Sequence, residues 1–223
     1  ITEFLPVSSS SHLILISEYL KFENKSLSVD VSCHIGSFIA VLVYFYKDIF
    51  NFLENKVLLT KIFISSLPVM IVGFYLAQSG FINHFRNLEI IAWSTIIFGI
   101  LLYISDKFEI EKNIDKNFTI KSAIFIGIFQ ILSLIPGVSR SGIAITAARL
   151  LNFNRVDSAK LSFLLSIPIL GAVSIFGFKN LIFSNDVIFT KFNLIAIFLS
   201  FLCSLITIKY FLSYLRKFSM NAF

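Results

Sequence analysis

The sequence predicts an all-α polytopic membrane protein, and three observations carry that prediction. Hydrophobic residues make up 57% of the chain and charged residues 14%, with a mean hydropathy of +0.86; a soluble domain carries about 25% charged residues. Apolar runs at 29–46, 57–77, 88–104, 161–178 and 194–215 each approach the roughly 20 residues a helix needs to cross the hydrocarbon core. The runs are apolar on all sides and lack the two-residue alternation of an outer-membrane barrel. About five full spans are therefore expected. No hydrophilic stretch is long enough to fold separately, so 1–223 reads as a single integral membrane domain of 25.3 kDa.

Two further apolar segments, 1–20 and 119–151, are interrupted where polar residues collect. The first contains Glu3-Phe-Leu-Pro-Val-Ser-Ser-Ser-Ser-His12 and the second Pro136-Gly-Val-Ser-Arg-Ser-Gly142. Such groups are costly in lipid unless they line a polar cavity or pair with one another. Both segments read as re-entrant hairpins: a short helix enters, breaks at the proline and serines, and returns to its own side. The competing picture for 119–151 is a crossing helix kinked at Pro136.

Charge placement separates the two pictures. With 119–151 returning, one side of the membrane collects Lys47, Lys56, Lys61, Lys107, Lys112, Lys116, Lys121, Arg149, Arg155, Lys160, Arg216 and Lys217, twelve cations against five (Lys21, Lys25, Arg86, Lys179 and Lys191) on the other. The positive-inside rule assigns the larger set to the cytoplasm. A crossing 119–151 would leave nine against eight and erase the bias. The two hairpins then enter from opposite faces, as an inverted-topology repeat. Leu5-Pro-Val-Ser-Ser9 echoes Ile135-Pro-Gly-Val-Ser-Arg140, and Ser66-Leu-Pro-Val-Met70 echoes Ser166-Ile-Pro-Ile-Leu170. Repeats of this kind place anion sites near the midplane, at the N-termini of half-helices.

The two serine-rich turns together collect what a phosphate site needs. Arg140 offers a planar, permanently charged fork that can hold two oxygens and steady a transferring phosphoryl group. Ser139, Ser141 and the N–H groups around Gly142 would complete a nest for phosphate oxygens. Glu3 suits a ligand of Mg²⁺ or Ca²⁺, or a general base on water; its bland alternative is a buried pair with Arg140. Ser9 and His12 lie three residues apart, which would set hydroxyl and imidazole on one helical face as nucleophile and base. His12 could instead protonate a leaving group, and Ser8 to Ser11 could simply cap a half-helix while water attacks.

The remaining features restrain rather than identify. The net charge of +6 follows from the inside loops and calls for anionic lipid headgroups, with no nucleic-acid partner. Cys33 and Cys203 read as buried thiols, and the 27 phenylalanines as packing and lipid-facing surface. His34 and His84 have no polar cluster around them in sequence and read as structural or exposed. The chain opens at Ile1 inside an apolar motif, without a Met, so a preceding segment is expected and no signal peptide can be judged.

On these two motifs, with Ser162-Phe-Leu-Leu-Ser-Ile-Pro168, Ile35-Gly-Ser-Phe-Ile-Ala40 and Gly127-Ile-Phe-Gln130 in order, the chain resembles the undecaprenyl-pyrophosphate phosphatases of cell-wall lipid recycling. The resemblance covers most of the chain. It implies an enzyme of the bacterial inner membrane, built from inverted re-entrant hairpins, that cleaves a polyprenyl pyrophosphate to the monophosphate and inorganic phosphate and confers bacitracin resistance. The catalytic residues would be Glu3, Ser9, His12 and Arg140, with Ser8, Ser10, Ser139, Ser141 and Gly142 binding substrate, and Mg²⁺ or Ca²⁺ as cofactor at Glu3. The partners are the lipid substrate and membrane lipids, with a homo-oligomer left open. Two departures stand out: Ser11 occupies a position where the family commonly has glycine, and a second acidic residue four positions before Glu3 would fall before Ile1. A transporter for lipid phosphates is the competing reading of the same fold, and an outward-opening site is the expectation for substrate on the outer leaflet.

Overall fold

A computed structural model of the chain describes residues 2–9, 11, 12, 14, 15, 27–54, 56–79, 87–108, 112–183 and 191–223. The helices are α1 (Leu27–Tyr44), α2 (Tyr46–Glu54), α3 (Lys56–Ser79), α4 (Leu88–Asp106), α5 (Ile114–Asn117), α6 (Ile120–Ile131), α7 (Arg140–Leu150), α8 (Arg155–Phe183) and α9 (Lys191–Leu215), with 3₁₀ turns at Leu132–Leu134 and Met220–Ala222. Among the described residues the only β-type pairing is one isolated bridge, between Lys112 and Phe153. The expected all-α polytopic architecture is what the chain adopts.

Four of the expected spans, α3, α4, α8 and α9, are long and apolar enough to cross a membrane. The fifth, α1, is shorter at 18 residues and carries Asp30 in its first turn. The run expected at 29–46 breaks at Phe45, and the chain continues as the nine-residue α2. Two spans hold a proline, Pro68 in α3 and Pro168 in α8. Each follows a serine two positions back whose hydroxyl reaches backbone carbonyls: Ser66 Oγ to Ile62 O at 3.0 Å and Leu165 O at 3.3 Å, Ser166 Oγ to Phe163 O at 2.6 Å. Such bonds satisfy the serine hydroxyls themselves in an apolar setting. The echoing segments around these prolines thus meet where Ser66 touches α8.

The second broken segment folds as a helical hairpin. Its arms, α6 and α7, have 12 and 11 residues, about 16 to 18 Å each and too short to cross roughly 30 Å. They pack against each other. Its two ends are hydrogen-bonded together, Lys112 N–H to Asn152 O at 2.7 Å and Asn154 N–H to Lys112 O at 3.0 Å. A crossing helix would hold those residues a membrane apart. The return of the first segment falls at 16–26, outside the described residues.

The cation-rich set gathers at one end of the bundle. There Asp106, at the end of α4, takes Arg155 Nε at 2.7 Å, lies 3.5 Å from Arg149 Nε, and accepts the Met220 N–H at 3.0 Å. Lys160 of α8 binds Asp48 of α2 at 2.6 Å. Lys47, Lys107, Lys112, Arg149, Arg155 and Lys160 thereby share the face that the charge count assigned to the cytoplasm. Lys21, Lys25 and Arg86 lie outside the described residues.

The core is centred on α7, buried from Ser141 to Arg149 and enclosed by α4, α6 and α8. Its Gly142, Ala144, Ala147 and Ala148 let neighbouring backbones come close, as small residues do between membrane helices. On α6, a Cβ at Gly127 would come within 2.7 Å of Ser65 O, so α3 and α6 touch backbone to backbone.

Candidate active site

The turn between α6 and α7 is built around Gly137, whose φ of +102° suits glycine. Any Cβ there would strike Ser94 Oγ and Ile91 O of α4. Ser94 Oγ donates to Pro136 O at 2.6 Å and Thr95 Oγ1 to Gly137 O at 3.3 Å, pinning the turn to α4 inside the membrane. Ser139 then caps α7, accepting the Gly142 N–H at 3.2 Å. This cap makes Arg140 the first residue of α7.

The first element is anchored at Phe4, fully buried and edge-on to Phe163 of α8 at 5.4 Å between centroids, a contact worth about 0.5–1.5 kcal/mol beyond its buried area. Residues 2–7 form turns and bends, and helix starts at Ser9, with the His12 N–H donating to Ser8 O at 3.3 Å. Two struts join the elements: Ser141 Oγ donates to Leu5 O at 2.7 Å, and Ser139 Oγ reaches the same carbonyl at 3.4 Å. Ser162 Oγ of α8 supports Ser141 O from behind at 3.2 Å.

At the junction Arg140 Nη2 binds Glu3 Oε1 at 2.7 Å, each side chain 16% exposed. The other carboxylate oxygen accepts the Ser9 hydroxyl at 3.2 Å. Removing either partner would strand a charge in a weakly solvated place, which costs about 3–5 kcal/mol for buried pairs. Among the described residues Nη2 is the guanidinium atom that is engaged, and Arg140 also lines a polar pocket of about 90 Å³ together with Glu3, Ser8, Ser9, Ser133 and Ser139. Beside it lies a larger, mostly apolar cavity of about 550 Å³. Val7, Ser8 and Ser139 border both.

The structure thus brings Glu3, Ser8, Ser9, Ser139 and Arg140 to one pocket. His12 sits next door: its Nδ1 donates to Ser8 O at 2.6 Å and its ring borders the larger cavity. The Ser9 to His12 contact expected from their spacing gives way to Ser9 with Glu3 and His12 with Ser8 O. The regular helix that spacing assumed begins only at Ser9, while Glu3 loops back beneath it. Ser141 is buried as a strut, and the Gly142 N–H is given to the Ser139 cap. Ser10 lies outside the described residues.

Sequence reasoning missed Thr2 and Ser133, which also line the polar pocket. Ser133 had a visible signal, a hydroxyl three positions before Pro136 in the interrupted segment. Ser94 and Thr95 had one too, as paired hydroxyls inside an apolar run.

Among the described residues no group of three His, Cys, Asp or Glu side chains gathers as a metal cage. Glu3 is the single carboxylate lining the pocket among the described residues. That donor set matches Mg²⁺, which is commonly held by one or two carboxylates together with substrate phosphates and water.

The chain is similar to several proteins named undecaprenyl-diphosphatase. That of Pelagibacter ubique (strain HTCC1062) is 47% identical over 224 residues, covering all of this chain and 87% of the relative. That of Saccharophagus degradans is 39% identical over 236 residues, covering all of this chain and 88% of the relative. That of Campylobacter curvus is 38% identical over 239 residues, covering all of this chain and 89% of the relative. Matched from residue 1 to 223 by the family model described as bacitracin resistance protein BacA, the chain belongs to that family.

Proposed function

We propose that the chain hydrolyses undecaprenyl diphosphate to undecaprenyl phosphate and inorganic phosphate in the bacterial inner membrane, recycling the carrier lipid and so conferring bacitracin resistance. The observation that carries this reading is the Arg140–Glu3–Ser9 chain in a polar pocket that opens onto an apolar cavity. A polyprenyl diphosphate has the same two halves. The relatives that support the reading bear an enzyme's name, and none of those described above bears a carrier's.

Arg140 binds the terminal phosphate with its unengaged N–H groups and stabilises charge on the phosphoryl oxygens as it transfers. The Ser9 hydroxyl already points its proton at Glu3 Oε2, the relation that activates a nucleophile. Its oxygen attacks the terminal phosphorus, the bond from that phosphorus to the bridging oxygen breaks, and the Ser9 proton passes to Glu3. Polyprenyl monophosphate leaves on the side of the apolar cavity. Water then cleaves the phosphoserine to release inorganic phosphate. His12 carries its Nδ1 proton toward Ser8 O, so Nε2 is the ring nitrogen left for the departing phosphate, accepting a hydrogen bond from the neutral ring and giving a proton only as imidazolium. Glu3 would hold Mg²⁺ or Ca²⁺ together with substrate oxygens, and such a cation would neutralise part of the diphosphate charge.

Purified protein in detergent with a divalent cation should release inorganic phosphate from undecaprenyl or farnesyl diphosphate. Arg140→Ala should lower kcat by about 100- to 1,000-fold, and Arg140→Lys should restore it only in part, because an ammonium cannot make the paired contact. Absence of phosphate release from the wild-type protein would overturn the reading. Full activity in excess chelator would remove the cation from it.

A further inference from the structure

Three segments of the chain line the polar pocket. Glu3, Ser8 and Ser9 come from the first element, Ser139 and Arg140 from the start of α7, and Ser133 from the 3₁₀ turn at the end of α6. Ser133 is half-buried, and its hydroxyl donates to Gln130 O, three residues back, at 2.6 Å. Ser79 and Ser105 make the same backward bond, to Leu76 O and Leu102 O, outside the pocket. Serines in helices commonly park their proton this way, so the bond by itself marks no site.

What sets Ser133 apart is how little holds its proton in place. Gln130 O also receives the Leu132 N–H, so it keeps a donor when the hydroxyl turns away. Gln130 is fully buried and fastened to α3, its Nε2 donating to Ser65 O at 3.1 Å, so the hydroxyl can turn while the backbone stays. Ser9 and Ser139 are less free: they donate to Glu3 Oε2 at 3.2 Å and Leu5 O at 3.4 Å, bonds that frame the site. Two other serines show that a back-bonded proton also serves a second acceptor. Ser94 reaches Pro136 O at 2.6 Å besides Ile91 O at 3.1 Å, and Ser66 reaches Leu165 O at 3.3 Å besides Ile62 O at 3.0 Å. For Ser133 the pocket lies where that second acceptor would be.

We propose that Ser133 is a further substrate-contacting residue. When a diphosphate binds at Arg140, the Ser133 hydroxyl turns from Gln130 O to an oxygen of the terminal phosphate and stays on it as the phosphoryl group passes to Ser9. The inference rests on the diphosphatase reading above. A phosphate oxygen carries charge that a backbone carbonyl lacks, and the hydrogen bond to it is the stronger one. The pocket's volume of about 90 Å³ is about three waters' share of liquid, so one phosphate group fills it and meets both arms of the hairpin, Arg140 on one and Ser133 on the other.

The test uses the purified full chain and two readouts. Titrated in calorimetry without a divalent cation, inorganic diphosphate should bind Ser133→Ala about tenfold or more weakly than the wild type, the scale of a hydrogen bond to a charged group. With Mg²⁺ present, kcat/KM for farnesyl diphosphate should fall by a similar factor. Ser133→Thr, which keeps the hydroxyl, should restore most of both. Ser79→Ala, which removes the same backward bond outside the pocket, should stay within about twofold of the wild type. Unchanged binding and turnover in Ser133→Ala would overturn the proposal. An equal loss in Ser133→Thr would overturn it as well, since the hydroxyl would then not be what binds. A wild-type protein that binds diphosphate but releases no phosphate from farnesyl diphosphate would instead overturn the diphosphatase reading, and weaker binding by Ser133→Ala would still support the contact.

Discussion

Ser11 Oγ is buried and has no hydrogen-bond partner among the described residues, at the position where the family resemblance led us to expect glycine. A buried polar atom left unpaired costs about 1–3 kcal/mol. Ser11→Ala should therefore keep or raise the thermal midpoint of the detergent-solubilised protein; a loss of more than about 1 kcal/mol would show that the hydroxyl has a partner such as water or phosphate. Glu3 makes a sharper case, because its carboxylate both holds Arg140 and repels an incoming diphosphate. Glu3→Gln keeps the shape and removes the charge. Without a divalent cation it should bind inorganic diphosphate more tightly than the wild type in calorimetry, and with one it should lose about 100-fold or more in turnover. Tighter binding with full turnover would deny the carboxylate any part in the chemistry. The Glu3 to Arg140 contact was legible as one of three readings, since a carboxylate and a guanidinium in two interrupted apolar segments have few other partners. The Ser9 to Glu3 bond was not. It depends on the bends at 5–7 bringing residue 3 back under residue 9, and helical spacing rules do not describe bends.

The break between α6 and α7 was legible because proline and glycine break helices, and the charge bias makes a return to the same side the expectation for 119–151. Helix ends were harder to place. The span expected at 161–178 continues from Arg155 to Phe183, since Arg155 and Lys160 are satisfied by Asp106 and Asp48 and stay helical beyond the apolar window. Labelling tests the hairpin directly. Asn154 Nδ2 donates to Asn113 Oδ1 at 2.9 Å, so Asn113→Cys and Asn154→Cys, with Cys33 and Cys203 replaced, should both react from the cytoplasmic side. Reaction from opposite sides would make the segment a crossing helix. The turn itself is as demanding as its packing suggests. Gly137→Ala combines a positive φ with a Cβ driven into Ser94 and Ile91, and should destabilise the protein by about 2–5 kcal/mol, the sum of backbone strain and overpacking. A wild-type melting curve for that variant would mean that the turn is free to rearrange.

Across the whole molecule, the depth of the site and the charge of the two faces bear on the side from which substrate enters. The α6–α7 turn that carries Arg140 is pinned at Ser94 and Thr95, six and seven residues from the start of α4 at Leu88 and eleven to twelve from its end at Asp106. At 1.5 Å per residue the pins lie about 10 Å from one end and about 17 Å from the other. The nearer end is the cation-poor one. The farther end is closed by Asp106 with Arg149, Arg155 and the Met220 turn, and Phe223, packed against Phe211 and Tyr214, stands on that side. A diphosphate entering from the cation-rich end would have to pass this packed ion cluster, whereas entry past Leu88 and Leu15 meets the exposed rim of the apolar cavity. The site should therefore open outward. An impermeant diphosphate substrate added to sealed, right-side-out vesicles should be hydrolysed without a lag, at the rate seen after permeabilisation. Hydrolysis that begins only on permeabilisation would reverse the orientation and make the cytoplasmic leaflet the source of substrate.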